Sequence, residues 1–278
     1  MNFSMRGHDF DAKSIEALAK KCTEYGIYGI QLVMPKSLPD YKDGAFTPAY
    51  AQRIKDEFDK VNVKIPVLGC YINPSCTDSD VLGAQMKRFK EHLRYARFCG
   101  AQVVGTETGF VGSECCEEEN HTEQAYQYLL SNLRELTAYA EKLGVMIGIE
   151  GVKIFVINSP QKMRRLLDDL DSPNVLAIFD PVNFIRADNY MEQDKIIDDA
   201  FNLFGDEMCV LHLKDFIIDE NGDMKQVLPT EGILNIEKIL RYIKQRKPDM
   251  PVVLECTGEK DLPRVMENVQ KLYDSIAV

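Results

Sequence analysis

Apolar residues follow two alternating rhythms along this chain. Short continuous runs such as KIPVLGCYIN, GVMIGIE, VLAIFD and PVVLEC have the length and β-branched content of strands buried on both faces. Between them lie longer stretches with apolar positions three and four residues apart, such as SIEALAKKCTEY and TEQAYQYLLSNLRELTAYAEKLG, which predict amphipathic helices. In order, the predicted strands are FSMRGH, YGIQLVM, KIPVLGCYIN, AQVVGTETG, GVMIGIE, VLAIFD, MCVLHLKD and PVVLEC. Helices are predicted over 14–25, 49–61, 78–99, 122–143, 159–170, 194–204, 234–246 and 262–276. Punctuation agrees: Asp78 caps a start, Pro160 follows Ser159 in a first turn, and Gly100 and Gly144 mark stops. PKSLPDYKDGAFTP reads as a loop, and residues 216–232, with an ENGD turn, as a hairpin or lid.

Strict alternation of strand and helix argues for a parallel sheet. Eight units in about 250 residues favour a closed (βα)₈ TIM barrel over an open doubly wound sheet. An open sheet would usually carry GxGxxG after its first strand, where RGHDFD stands instead. No linker or composition break divides the 278 residues, so 1–278 reads as one domain.

Composition narrows the classes. With 33 basic and 44 acidic side chains the net charge is −11, and no basic patch offsets it, so neither nucleic acid nor an anionic membrane is an expected partner. Every 18-residue stretch contains charge and the N-terminus lacks an apolar h-region, so a soluble cytoplasmic protein is expected; a homo-oligomer is left open. The eight cysteines form no CxxC pair at zinc spacing; Cys22, Cys70, Cys99, Cys209 and Cys256 fall in apolar patterns expected of reduced core thiols. Cys115 and Cys116 lie in the acidic SECCEEEN loop, whose negative charge disfavours reactive thiolates.

Candidate chemistry lies at strand ends. Four apolar runs terminate in or near a metal-ligating side chain: Glu150, Asp180, His212 and Glu255, at intervals of 30, 32 and 43 residues. Each interval accommodates one βα unit. In a barrel, carboxyl ends of strands gather at one mouth, so the four side chains are expected to converge on a divalent cation. The oxygen-rich set suits Mn²⁺ first, with Mg²⁺, Co²⁺ or Zn²⁺ as alternatives, and three carboxylates together would repel one another without a cation.

IGIEG at Glu150, IFDPVN at Asp180, VLHLKD at His212 with Lys214 and Asp215, TEGILNIEKIL, and VLEC at Glu255 together resemble the xylose-isomerase-like barrel superfamily, in its sugar (phosphate) isomerase/epimerase branch. That branch includes ketose 3-epimerases and hydroxypyruvate isomerases, and the resemblance covers nearly the whole chain. It implies that Glu150, Asp180, His212 and Glu255 are metal ligands, that Glu150 and Glu255 are the acid/base pair, and that the substrate is a small carbohydrate. The implied chemistry is proton transfer through a cis-enediolate of a ketose, aldose or keto-polyol. One departure stands out: many relatives have histidine three residues after the strand-six aspartate, where this chain has Asn183, an amide that can hydrogen-bond a hydroxyl but not act as acid or base.

Asn183 and Lys214 are therefore counted as substrate-binding candidates, together with the strand-end residues His8, Cys70 and Glu107; Asn73 is a further strand-end candidate for the pocket lining. Alone, His8 would cap a loop and Glu107 would pair with a basic neighbour; His92 and His121 read as surface residues. The rival enzyme is a metal-dependent lyase or dehydratase on an oxidised sugar or glycoside, which needs the same enolate. An apurinic-site endonuclease is disfavoured by only four histidines and an acidic charge. A noncatalytic sugar-binding barrel is weakened by the intact ligand set. The lack of a phosphate-binding run tilts toward an unphosphorylated substrate.

Overall fold

Eight parallel strands close on themselves into a barrel, in the order Asn2–Arg6, Pro251–Leu254, Met208–Leu213, Val175–Phe179, Met146–Glu150, Ala101–Glu107, Lys64–Gly69 and Gly29–Leu32. The computed structural model describes residues 1–39, 41–42 and 44–277, so Asp40 and Asp43 of the predicted loop lie outside the described residues. The chain runs β1 (Asn2–Arg6), α1 (Ile15–Glu24), β2 (Gly29–Leu32), α2 (Met34–Ser37), α3 (Pro48–Lys60), β3 (Lys64–Gly69), α4 (Ser79–Cys99) and β4 (Ala101–Glu107). It continues with α5 (Glu117–Asn120), α6 (Glu123–Leu143), β5 (Met146–Glu150), α7 (Pro160–Leu170), β6 (Val175–Phe179), α8 (Gln193–Phe204) and β7 (Met208–Leu213). Last come β8 (Asp215–Ile218), β9 (Met224–Val227), α9 (Ile236–Arg246), β10 (Pro251–Leu254) and α10 (Leu262–Ser275). First and last barrel strands pair directly, Asn2 to Pro251 through Met5 to Leu254, and seal the barrel.

Alternation along each strand assigns every residue to one of two layers. Val67, Val103, Ile178, Val210 and Val253 point inward and form a small core inside the barrel. Their neighbours Leu68, Val104, Phe179, Leu211 and Leu254 point outward and pack in the large core shared with the helices. Glycine relieves crowding at two positions inside the barrel: a Cβ on Gly105 would come within 2.6 Å of Val67 Cγ1, and one on Gly148 would sit tightly at 3.0 Å from Ile178. Several of the helices start on side-chain caps. Thr47, Thr122 and Ser159 accept from Tyr50, Ala125 and Lys162 amides, each cap contributing about 1 kcal/mol. Gly100 and Gly144, at φ 72° and 62°, end α4 and α6 in the left-handed region.

Two predicted loops carry structure of their own. Met34–Ser37 forms a helical turn because Pro35, read as a loop signal, also suits a first helical turn, and Ser37 Oγ accepts the Val33 amide at 3.2 Å. The segment after β7 is an antiparallel hairpin, with Asp215 opposite Val227 and Ile218 opposite Met224. No helix among the described residues is long and apolar enough to cross a membrane.

Candidate functional site

The inward register that places Val103, Gly148, Ile178, Val210 and Val253 in the barrel places Glu107, Glu150, Asp180, His212 and Glu255 at its carboxyl-end mouth, because the side-chain period is two. Glu107 and Glu150 are register partners across β4 and β5. Glu150, Asp180, His212 and Glu255 are all buried, between 0% and 9% exposed, where unpaired charge is expensive.

His212 stands at the centre. Its Nδ1 lies 3.3 Å from Glu150 Oε1 and 3.5 Å from Glu255 Oε1, yet neither ring nitrogen has a hydrogen-bond partner. Ligand atoms of Glu150, Asp180 and His212 all lie within 4.8 Å of one another and could hold a metal ion. A buried imidazole with two orphaned nitrogens beside carboxylates is the donor set that a divalent cation completes. Glu255 is outside this trio of mutually close atoms: its Oε2 is 3.0 Å from Lys214 Nζ and its Oε1 is 3.6 Å from Arg6 Nη1.

Lys214 and Asn183 lie behind the carboxylates. The Lys214 ammonium, only 5% exposed, bonds Asp180 Oδ2 and Glu255 Oε2 and donates to Asn183 Oδ1 at 3.1 Å. Asn183 Nδ2 donates to Glu150 Oε1 at 2.8 Å. One connected network thus orients three carboxylates, the task that second-layer hydrogen bonds perform around bound metals.

Burial and mutual repulsion set the protonation states. Burial pushes Asp180 up to about 6 against the pull of Lys214. Burial would also raise Glu255, but His212, Lys214 and Arg6 together hold it down at about 2. Burial, with Glu150 and Glu255 beside it, pushes Glu107 up to about 7. Burial would lower His212, but Glu150 and Glu255 override it and raise the imidazole to about 9. Lys214 is held charged, since Asp180 and Glu255 outweigh its desolvation.

Other predicted residues are distributed less evenly. His8 follows β1 in a 3₁₀ turn, half-buried, with Nδ1 unpartnered and Glu255 among the charges acting on it. Cys70 is not brought to the mouth: one residue past inward-facing Gly69, it is 4% exposed in the helix-facing core, and Arg88 and Glu91 of α4 are the charges around it. Asn73 braces loops, its amide donating to the Phe110 carbonyl. His92, expected at the surface, is 4% exposed; its ring packs 5.0 Å from Phe46 and burial lowers it to about 4. It shares a helical stripe with Phe89, Leu93 and Ala96. His121 likewise is partly buried, with Nε2 unpartnered.

Sequence reasoning missed three residues of the mouth. Arg6 bonds Asp9 and approaches Glu255; Gln31 donates to the Tyr71 hydroxyl at 2.8 Å; and Tyr71 feels Glu150, Glu255 and Glu107, which with burial hold its phenol protonated. Their signal was parity, since Tyr71 stands two residues beyond inward Gly69.

The hairpin leans on the rim. Asp215 accepts the amides of Phe216, Gly232 and Leu234 at 2.8–2.9 Å, and Gly232 is needed there because a Cβ would lie 2.2 Å from the Phe216 carbonyl oxygen. From that base Met224 Sδ reaches Lys153 Nζ at 3.4 Å and Gln226 accepts from Cys256 Sγ at 3.5 Å, so the hairpin touches the loops after β5 and β10.

Known proteins share this architecture. No curated protein matches the chain. Among solved structures, a D-tagatose 3-epimerase-like protein superposes with TM-score 0.78 at 17% identity, covering 99% of this chain and 97% of its own. A probable 3-DHS dehydratase from Bacillus anthracis gives 0.76 at 15% identity, covering 99% and 100%. The IOLI protein, solved with a zinc atom, gives 0.73 at 18%, covering 98% and 96%. Residues 19–276 match the family model described as xylose isomerase-like TIM barrel, and the chain belongs to that family.

Proposed function

We propose that the chain is a divalent-metal-dependent sugar isomerase or epimerase that moves a proton next to the carbonyl of an open-chain ketose, aldose or keto-polyol. The observation that carries this reading is the buried His212, whose Nδ1 faces both Glu150 Oε1 at 3.3 Å and Glu255 Oε1 at 3.5 Å, with the ligand atoms of Glu150, Asp180 and His212 within 4.8 Å of one another. Glu150, Asp180 and His212 would hold the ion, with Glu255 as a weaker, outlying fourth ligand that the site can do without, and the bound ion would polarise the carbonyl and offset the negative charge that develops as the C–H bond breaks. Mn²⁺ is the first choice for an oxygen-rich set with one imidazole, and one structural neighbour was solved with a zinc atom.

The chain's own groups do the proton work. Glu255, whose carboxylate faces Lys214 at 3.0 Å and Arg6 at 3.6 Å, would accept the proton. Glu150, which faces the same His212 nitrogen, would return a proton: return to the opposite face inverts the carbon, and delivery to the neighbouring carbon interconverts aldose and ketose. Asn183 holds Glu150 and Lys214 holds Glu255, so each carboxylate keeps its aim while its charge changes. The hairpin braced by Asp215 touches the loops after β5 and β10, a position from which it would limit water at the reacting carbon.

A lyase on the same scaffold is the second reading. It is favoured by Glu107, whose carboxylate has no hydrogen bond or ion pair among the described residues and could protonate a departing hydroxyl, and by the dehydratase among the structural neighbours. Incubation of the Mn²⁺-loaded protein with a panel of ketoses and keto-sugars separates the two: epimers or isomers support the first reading, an unsaturated product the second. Glu150→Gln and Glu255→Gln should each lower turnover by roughly 10²- to 10⁴-fold, and wild-type-like rates in either would defeat the mechanism.

A further inference from the structure

All four proposed ligands come from β5, β6, β7 and β10, which form one half of the mouth. The other half is built from β1 to β4 and presents Arg6, Gln31, Tyr71 and Glu107. The chemistry above leaves Gln31 and Tyr71 without a task. We propose that this second half is a subsite for the uncharged, hydroxyl-bearing tail of the substrate, with Tyr71 and Glu107 contacting it and Gln31 positioning Tyr71. The proposal rests on the sugar reading for the location of the reacting carbon, and it adds that the substrate is an unphosphorylated polyol chain longer than three carbons.

The geometry supports each role. Gln31 is 2% exposed, and its Nε2 donates to the Tyr71 hydroxyl oxygen at 2.8 Å. That bond fixes the ring and leaves the phenolic proton free for another acceptor. Tyr71 itself is only half-buried and stands two residues beyond Gly69, whose missing Cβ leaves room for the ring: a methyl there would lie 2.9 Å from Tyr71 Cε2. Glu107 makes no bond among the described residues and can accept from a hydroxyl.

Charge decides the class of tail. Of these four residues only Arg6 is cationic, and it is committed to Asp9 at 2.7 and 3.1 Å and faces Glu255 at 3.6 Å. A phosphate or carboxylate tail would therefore meet the Glu107 carboxyl with no free guanidinium to offset it. A hydroxyl both donates and accepts, and matches a phenol beside a carboxyl.

The test is calorimetric binding of D-glucitol, glycerol and D-glucitol 6-phosphate to the Mn²⁺-loaded protein. D-glucitol should bind more tightly than glycerol, and the 6-phosphate more weakly than D-glucitol. Tyr71→Phe should weaken D-glucitol by about 3- to 10-fold, the loss of one neutral hydrogen bond, while glycerol and Mn²⁺ affinities stay unchanged. Gln31→Ala should weaken D-glucitol in the same direction, but add nothing to Tyr71→Phe, since it acts through the phenol. Glu107→Gln, nearly isosteric, should narrow the gap between D-glucitol and its phosphate. Equal binding of D-glucitol and glycerol, tighter binding of the phosphate, or unchanged D-glucitol affinity in Tyr71→Phe overturns the subsite. Because none of these readouts needs turnover, a loaded protein that discriminates the polyols but converts no sugar would sink the isomerase reading and leave the subsite standing.

Discussion

Replacing Lys214 by methionine probes how the mouth balances its charge. The ammonium is 5% exposed and bonds Asp180 and Glu255, which are 0% and 9% exposed, so its removal strands two buried carboxylates. Breaking a buried pair by deleting one partner costs about 3–5 kcal/mol. For a chain of 278 residues, at roughly 2.1 cal/mol/K of unfolding entropy per residue, that corresponds to a Tm drop of about 5–9 °C. A divalent ion supplies positive charge to the same carboxylates, and at a hundred times its Kd adds about 2.7 kcal/mol. Thermal melts in EDTA should therefore show Lys214→Met well below wild type. Melts at one fixed Mn²⁺ concentration should show the gap widen, because Mn²⁺ affinity should fall by roughly 10- to 100-fold, as when an outer hydrogen-bond partner of a ligand is lost. A variant with wild-type Tm in EDTA, or with unchanged Mn²⁺ affinity, would refute the role of Lys214 as brace.

Three further outcomes follow from the same geometry. Glu107 is raised to about 7 in the folded protein, so the stability contributed by its protonated form is full below about 4.5 and lost as pH rises through 7. Urea unfolding of the chelated protein should weaken between pH 5 and 8, and Glu107→Gln should flatten that slope; an unchanged slope rejects the assignment. Because Glu255 lies outside the close trio, Glu255→Gln should retain bound metal by elemental analysis while losing turnover, whereas Asp180→Asn should lose the metal; equal metal loss in both contradicts the division. Asp215→Ala removes the acceptor of two buried amides and one partly buried amide, and limited proteolysis should then cut within 216–232 faster than in wild type, while resistance equal to wild type would show that the hairpin holds without its clamp.

Much of this is legible in the sequence alone. Apolar runs of strand length, caps such as Ser159–Pro160 and stops such as Gly100 gave eight βα units, and parallel strands in a barrel bring Glu150, Asp180, His212 and Glu255 to one end whatever the helix details. What escaped was parity. Cys70 and Tyr71 both stand at the end of β3, but a shift of one residue exchanges barrel interior for helix-facing core, and being at a strand end does not say which face a side chain takes. Counting in twos from Gly69 would have exchanged one for the other. Lys214 and Asn183 were named, but their place behind the carboxylates depends on β6 and β7 being neighbours in the barrel, a contact between residues 31 apart in sequence. His92 carried its own signal, three residues after Phe89 on an apolar stripe, and an imidazole on such a stripe packs as a core residue.

Hydrogen–deuterium exchange at carbon tests the central claim most directly. Mn²⁺-loaded protein is incubated in D₂O with a panel of unphosphorylated ketoses, and NMR follows deuterium entering the carbon beside the carbonyl. Wild type should incorporate deuterium into at least one ketose, and Glu255→Gln, with its metal retained, should incorporate none at comparable times. Absence of exchange with every ketose in the loaded wild type, or exchange at the wild-type rate in Glu255→Gln, would contradict proton transfer by the paired glutamates.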